Sequence, residues 1–247
     1  MKRLLPLALA GVLLVPAAGL GQDYQMFETQ YLKVLPGHEA AFATALTEHN
    51  QGFHTEGAFG AAVDFIVTGP FSGQYAWVMG PATFTALDAR PTGDPHDADW
   101  NKVLAHAESH TNEYWRMNER LSSPLTDAEA AGRPILRVRF FEVANNALFI
   151  KTQEETEGVF AEMGVTGRTF YRRRFPHRDG RDWALVTSME NWAELDGPGN
   201  GNFQETFIEL HGEAAWDTHR AERAEAVVGT QDEFRQRIAE MSGVGNQ

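Results

Sequence analysis

AWVMGPATFTALD (residues 76–88) is the stretch that decides the fold, because the chain repeats its pattern as ALVTSMENWAELD (residues 184–196). Both copies begin with an apolar run typical of a buried strand and continue into a short helical pattern. At this constant offset Phe84 pairs with Trp192, and we expect these aromatic residues to lie in the shared core of each half. The pattern therefore indicates an internal duplication, with two unrelated α+β halves as the alternative.

The order of the predicted elements supports the duplication. A half-buried strand over residues 25–34 precedes a helix, a strand hairpin, a short helix and a long amphipathic helix over residues 100–121. The second half repeats this order, from a strand over residues 135–143 to a closing helix over residues 203–228. We expect residues 230–233 to cap one last polar helix.

This order of elements resembles a known fold. A β-α-β-β-α unit resembles one ferredoxin-like repeat, and two units in one chain resemble the fused form of the dimeric α/β-barrel superfamily. That superfamily includes antibiotic-biosynthesis-type monooxygenases, NIPSNAP-type proteins and chlorite-dismutase-like haem proteins. The resemblance lies in pattern and covers most of the chain. It implies an α+β fold whose two antiparallel four-stranded sheets form a pseudo-dimeric α/β barrel, and it implies no particular reaction.

The repeat also divides the chain into segments. We predict a signal peptide at 1–21, a first repeat at 22–124, a linker at 125–134, a second repeat at 135–229 and a C-terminal helix with a Gly-rich tail at 230–247.

The N-terminal segment predicts export. Lys2 and Arg3 precede an uncharged apolar run and a small-residue exit, so cleavage is expected after Ala17 or Gly21. The apolar run is shorter than the roughly 20 residues that a membrane-spanning helix needs. We therefore expect a periplasmic or secreted protein with no membrane partner after cleavage.

Composition excludes several classes of chemistry and of partner. The chain has no cysteine, so neither disulfides nor thiolate chemistry can take part. Its 34 acidic residues exceed its 21 basic ones and give a formal net charge of −13. Such a field repels phosphate backbones, so we predict no nucleic-acid partner. The partner that we predict is therefore a small-molecule ligand. We expect the protein to be a monomer or a homodimer.

Histidines in the predicted long helix are the candidates for a metal site. His106 and His110 stand at i and i+4, which share one helix face, and imidazole binds Zn, Cu, Fe or Ni. Glu113 and His211 are the predicted further ligands, the latter through the pseudo-symmetry of the repeats. The alternative is one packed and one solvated histidine without metal. A haem held by His211 or His219 is the second cofactor hypothesis.

Polar positions on the first strand of each repeat are the candidates for ligand binding. Glu28 and Gln30 correspond by the repeat to Arg137 and Arg139. Because buried charges need partners, Glu28 paired with either arginine would join the halves as a salt bridge or line a polar cavity. The basic run over residues 171–178 is a further candidate for an anion, or else a solvated strand face.

Three classes of function remain open on these patterns. The leading hypothesis is a protein that binds a small ligand in a cavity between a sheet and its long helix. The alternative among enzymes is a haem- or metal-dependent oxidoreductase of monooxygenase type. The third is a structural or interaction module whose sheet faces only join its halves. The sequence carries no phosphate-binding loop, nucleophile elbow or HExxH motif that would choose among them.

Overall fold

The structure is a computed structural model, and it describes residues 24–197, 199 and 201–244. The predicted signal peptide at residues 1–21 lies outside the described residues. Within the described part of the chain, every helix is too short or too polar to cross a membrane.

The first repeat folds as β-α-β-β-α-β. Its strands are β1 (Met26–Val34), β2 (Ala61–Ile66), β3 (Tyr75–Ala82) and β4 (Ala107–Met117). Its helices are α1 (Glu39–Phe53), the single turn α2 (Phe84–Leu87) and α3 (His96–Leu104).

The second repeat has the same order after the short helix α4 (Asp127–Ala130). Its strands are β5 (Ile135–Val143), β6 (Thr169–Arg173), β7 (Trp183–Met189) and β8 (Val227–Arg237). Its helices are α5 (Asn146–Glu162), α6 (Phe203–His211) and α7 (Glu213–Ala226). Short 3-10 turns occupy Gly57–Phe59, Glu119–Leu121, Trp192–Asp196 and Ala239–Met241.

The prediction of a long last helix is wrong at the same place in both repeats. The helix predicted over residues 100–121 ends at Leu104, and the chain then forms β4. The helix predicted over residues 203–228 is divided at Gly212, whose φ is 88°, and gives way to β8. That strand also contains residues 230–233, which were predicted to cap a helix.

The eight described strands close into one antiparallel barrel in the order β1-β3-β2-β8-β5-β7-β6-β4. Each repeat contributes four neighbours in the same relative order, β4-β1-β3-β2 and β8-β5-β7-β6. The repeats meet at two seams, where β2 pairs with β8 and β4 pairs with β6. The predicted α+β fold of two ferredoxin-like repeats in a pseudo-dimeric α/β barrel is therefore confirmed.

The repeated stretch contributes equivalent strands but unequal ends. Ala76 of β3 pairs with Tyr31, and Ala184 of β7 pairs with Phe140, which is the equivalent position. The short helical ends differ, because Trp192 is 43% exposed, and its ring contacts that of Phe234 with 5.4 Å between the centroids. The expectation that Trp192 belongs to a shared core is wrong, because the 3-10 turn that carries it lies at the surface.

Each sheet has one face against its own helices and one face in the barrel lumen. In the first repeat, α1 and α3 cover Leu32 and Trp77. In the second, Phe141 and Trp183 pack against Phe149 of α5. Because side chains alternate along a strand, the residues next to these helix-facing ones point into the barrel lumen. Buried lumen side chains include Tyr31, Trp115, Val138, Phe140 and Ala184.

Candidate functional site

A cavity of about 330 Å³ lies between the sheet of the second repeat and its helices α5, α6 and α7. We name it the arginine cavity, because five arginines line it. Two come from β5, two from α7 and one from the loop before β6: Arg137, Arg139, Arg220, Arg223 and Arg168.

The two strand arginines are held by one carboxylate. Asp232 of β8 is the sheet partner of Arg139; its Oδ1 accepts from Arg139 Nε at 2.8 Å, and its Oδ2 accepts from Arg137 Nη2 at 2.7 Å. Burial opposes ionisation of Asp232, but these hydrogen bonds outweigh it and hold its pKa at about 2. Asp232 is therefore ionised and fixes both guanidinium groups against the floor of the cavity.

The remaining arginines give the cavity an excess of positive charge. Arg168 pairs with Glu157 at 2.8 Å, whereas within the described residues Arg220 and Arg223 form no ion pair. Burial, together with the positive charges of Arg139 and Arg168, lowers the pKa of Arg223. Guanidinium groups stay protonated in proteins even so. Asp232 and Glu157 thus pair with three of the five arginines, and Arg220 and Arg223 are left as the excess cations in a protein that is acidic overall.

Two buried donors in the cavity wall have no hydrogen-bond partner among the described residues. They are Nε2 of Gln153 in α5 and Nε of Arg137. An unmade hydrogen bond at a buried polar atom costs about 1–3 kcal/mol. Both donors line the cavity, so the missing acceptor has room to lie within it.

Aromatic side chains form the other wall. Phe160 of α5 packs on Phe203 of α6 at 5.0 Å between ring centroids, and the Arg168 guanidinium lies 4.1 Å from the Phe160 ring. Trp216 of α7 stacks on His219 with an interplanar angle of 13°. A planar or apolar ligand body would therefore contact rings on one side and cations on the other.

His219 is oriented by a carboxylate. Its Nδ1 lies 2.7 Å from Oε2 of Glu155, so Nδ1 donates to the carboxylate, and in the neutral ring Nε2 has a free lone pair. The side chain is 4% exposed and lines the cavity. A histidine whose second nitrogen is held by a carboxylate is a well-prepared metal ligand.

The ligand residues predicted on the two first strands separate into two places. Arg137 and Arg139 line the arginine cavity, but Glu28 and Gln30 lie on the equivalent helix-facing side of β1. There Glu28 is buried and pairs with Arg90 at 2.8 Å. The predicted salt bridge from Glu28 to the arginines does not form, because both sets face their own helices and not the lumen between the sheets.

The predicted metal set does not converge either. His110 lies in strand β4 and is exposed. Because this segment is a strand, His106 and His110 do not share one helix face. His106 instead contacts His38, with 3.0 Å between their Nδ1 atoms. Glu113 points into the lumen, and His211 ends α6 at the surface against Phe207.

Glu113 joins the two repeats through the lumen. Its carboxylate accepts from Arg173 Nη2 at 3.1 Å and from Trp115 Nε1 at 2.9 Å, and it pairs with Arg181 at 3.2 Å. Arg181 also reaches Glu233 of β8, at 3.4 Å. These charges are buried and paired with one another, so the network joins the halves, although Nε and Nη1 of Arg181 and Oε1 of Glu233 form no hydrogen bond among the described residues.

The basic run over residues 171–178 borders a second cleft, of about 630 Å³. Its cations Arg172 and Arg174 are exposed, and so is Arg116 across the seam. Water and salt screen exposed charges. In the arginine cavity only Arg220 of the five arginines is exposed and the other four are partly buried, so the second cleft is the weaker anion site despite its larger volume.

Sequence reasoning named His219 of α7 as a haem candidate but missed that the same helix face brings Arg220 and Arg223 to the arginine cavity. Trp216, His219, Arg220 and Arg223 stand at i, i+3, i+4 and i+7, which is the spacing of one helix face. That signal is visible in the sequence. What the sequence does not show is that the face covers the two β5 arginines, since this depends on how α7 packs on the sheet.

No protein-family profile matches the chain, and no curated protein matches it. Among solved structures, a candidate monooxygenase from Lactobacillus acidophilus NCFM is 10% identical, with a TM-score of 0.52 over 87% of this chain and 94% of its own. A candidate chlorite dismutase is 8% identical, with a TM-score of 0.52 over 88% and 96% of the two chains. An anthrone oxidase-like protein is 10% identical, with a TM-score of 0.52 over 88% and 92%. At these identities the likeness concerns the fold alone, and the chain has the dimeric α/β-barrel fold with both ferredoxin-like repeats in one polypeptide.

Proposed function

We propose that the protein binds a small anionic ligand with an apolar or aromatic body in the arginine cavity. The observation that carries this proposal is the unbalanced charge of the cavity, where Arg220 and Arg223 face the Asp232-bound pair of arginines without a carboxylate of their own. An excess of cations around a partly buried cavity favours an anion because opposite charge relieves their mutual repulsion.

The lining residues assign a place to each part of such a ligand. Carboxylate or phosphate oxygens accept from the guanidinium groups of α7 and from the unpartnered donors of Arg137 and Gln153. The ligand body packs against Phe160 and Trp216. The volume of about 330 Å³ is near the lower end of the 300–1,000 Å³ range of small-molecule sites, so the ligand is compact.

Calorimetric titration of aromatic carboxylates and phosphate monoesters tests the proposal. A ligand that binds the wild-type protein should bind Arg223→Gln at least about tenfold more weakly, because one charge-assisted hydrogen bond is lost. The matched control is Arg174→Gln, which removes an exposed cation from the second cleft and should leave affinity unchanged. Equal weakening in both variants would show that only net charge matters, and would contradict the proposal.

Haem is the second candidate ligand, favoured by the hydrogen bond from His219 to Glu155. His219 would hold the haem iron, and the cavity arginines would pair with the propionates. The histidine and the arginines of the cavity fit the iron and the propionates of haem. The cavity volume of about 330 Å³ favours a ligand more compact than haem. Bound haem would supply redox chemistry at its iron. Reconstitution with haemin should then give a Soret band that His219→Ala shifts or abolishes, and absence of any band would exclude this candidate.

We also propose that the protein is exported. Support comes from the charged start, the apolar run and the small-residue exit of residues 1–21. Intact-mass analysis of the full chain produced in a Gram-negative host should give a periplasmic species that begins at residue 18 or 22. A cytoplasmic product that retains Met1 to Gly21 would contradict export.

A further inference from the structure

Three histidines of the first repeat converge at a place where the sequence showed no motif. His49 lies near the end of α1, His54 directly follows that helix, and His96 begins α3. Nε2 of His54 lies 3.1 Å from Nε2 of His49 and 3.4 Å from Nε2 of His96. His49 and His54 are fully buried, and the His96 side chain is 13% exposed.

The other nitrogen of each ring fixes its tautomer. Nδ1 of His54 lies 2.6 Å from the carbonyl oxygen of Phe59, which only accepts, so this Nδ1 carries the proton. Nδ1 of His49 lies 3.2 Å from Asp99 Oδ1, and Nδ1 of His96 lies 3.0 Å from Asp97 Oδ1. Both of these Nδ1 atoms therefore donate as well.

It follows that three Nε2 lone pairs point at one another. In neutral imidazole only one nitrogen carries a proton, and the hydrogen-bonding partners of these Nε2 atoms within the described residues are the other Nε2 atoms. Neutral rings with unpartnered lone pairs repel unless a cation lies between them.

We propose that His49, His54 and His96 form a three-histidine site for a divalent first-row transition metal ion. A zinc ion with Zn–N bonds of about 2.0–2.1 Å places two ligands of a tetrahedron roughly 3.3 Å apart, close to the 3.1 and 3.4 Å observed. The three ligand atoms lie within 4.8 Å of one another. Three neutral imidazoles leave a fourth position open for water or another small ligand.

The surroundings have the features of a metal site beyond its ligands. Each ring donates the N–H of Nδ1, the nitrogen that does not face the ion, to an oxygen. Two of these three oxygens belong to carboxylates, and this arrangement orients metal-bound histidines. Phe53, Trp77 and Trp100 pack on the three rings with centroids 4.9–5.2 Å apart. This aromatic shell lowers the local dielectric constant and so increases the attraction between the ion and its ligands. The site shares no residue with the arginine cavity, so either proposal can fail without the other.

The test is titration of the metal-stripped full chain with Zn²⁺, Co²⁺, Ni²⁺ and Cu²⁺ in turn. We expect one ion per chain for at least one of these metals, and a Tm rise of about 5–10 °C at an ion concentration of 100 times Kd. Cobalt should also show the intense visible absorption of a tetrahedral complex. Because the chain has no cysteine, thiolates cannot supply such a signal.

Variants separate this site from the other histidines. His96→Ala removes the least buried ligand and should abolish stoichiometric binding while the far-UV circular dichroism is retained. Asp99→Ala, which removes the oxygen that orients His49, should weaken binding about 10–100-fold. The matched control is His106→Ala with His110→Ala, which should bind one ion as the wild type does. Absence of stoichiometric binding by the wild type overturns the proposal, and so does loss in the control with binding retained in His96→Ala.

Discussion

At the scale of the residue, this protein contains buried charges whose desolvation penalty is offset by the oppositely charged groups beside them. Tyr31, Glu113 and Arg181 meet in the lumen, where burial raises the pKa of Tyr31 to about 12 and its hydroxyl donates to Glu113 at 3.3 Å. Breaking a buried ion pair costs more free energy of folding than breaking an exposed one, because the remaining charge keeps its desolvation penalty and has no partner.

Glu113→Gln should therefore lower the free energy of unfolding by about 3–5 kcal/mol. The substitution keeps the shape of the side chain and removes the charge that faces Arg173 and Arg181. Urea titration measures the change. The control is Glu108→Gln on the same strand, an exposed position where we expect a change within about 0.5 kcal/mol. Similar values for the two variants would refute the structural role of the network.

Asp232 should contribute to the pH dependence of stability. Its pKa is about 2 in the folded protein, against an ordinary value of 3.8. A carboxyl whose pKa is lower in the folded than in the unfolded protein stabilises the fold, and this stabilisation is complete at a pH above the unfolded pKa. It is lost as the pH falls through the folded pKa. The stability difference between wild type and Asp232→Asn should thus shrink from pH 5 to pH 2, as measured by urea titration. The exposed Asp217→Asn is the control, and a difference that stays constant with pH would contradict the assignment.

At the scale of the element, the two repeats begin their main helices differently. Asn145 caps α5, since its Oδ1 accepts from the backbone N–H groups of Ala147 and Leu148 at 3.2 Å. His38, at the equivalent place before α1, makes no side-chain cap hydrogen bond. The sequence shows why, because an asparagine cap is among the most favourable and a histidine is not.

Asn145→Ala should cost about 0.5–2 kcal/mol of stability because two N–H groups of the first turn lose their acceptor. Thermal unfolding followed by circular dichroism measures it. Asn202→Ala is the matched control, since Asn202 precedes α6 without a side-chain cap hydrogen bond. If both substitutions cost the same, capping is not what Asn145 contributes.

At the scale of the whole molecule, the barrel makes the two repeats mutually dependent. The seams pair Asp64 of β2 with Arg237 of β8, and Trp115 of β4 with Arg173 of β6. Opening either seam would expose strand edges and the lumen charges together. The edge strands of each repeat are therefore paired only while the other repeat is folded beside it.

We accordingly expect a single unfolding transition. Tryptophan fluorescence, which reports on Trp77 and Trp183 in different repeats, should give the same urea midpoint as far-UV circular dichroism. The Asp64→Asn variant, which weakens one seam, should shift both midpoints together. Two separated transitions in the wild type would show that the repeats fold independently of the barrel.

Sequence patterns predicted the elements whose buried face is apolar. The strand predicted over residues 135–143 coincides with β5, and the first strand differs from β1 by one residue. β4 and β8 were missed because their buried faces carry Glu113, Glu233 and Arg235 in place of an apolar alternation. A strand pattern based on hydrophobicity fails where the buried side chains are charged and paired across a lumen.

For the sites, comparison of the repeats identified Arg137 and Arg139, which do line a cavity. It predicted Glu28 as their partner, but the structure assigns that role to Asp232. The spacing of His106 and His110 was interpreted as a metal motif because both were assigned to a helix, and the strand conformation of β4 removes that spacing.

By itself the sequence determined the duplication, most of the strand and helix order, and the absence of disulfide and thiolate chemistry in a cysteine-free chain. These features depend on neighbours along the chain, which a pattern records directly. Only the tertiary structure decided which charges pair in the lumen, that α7 covers the β5 arginines, and that His49, His54 and His96 meet. Those contacts join residues far apart in the chain, and they are fixed by sheet register and barrel closure.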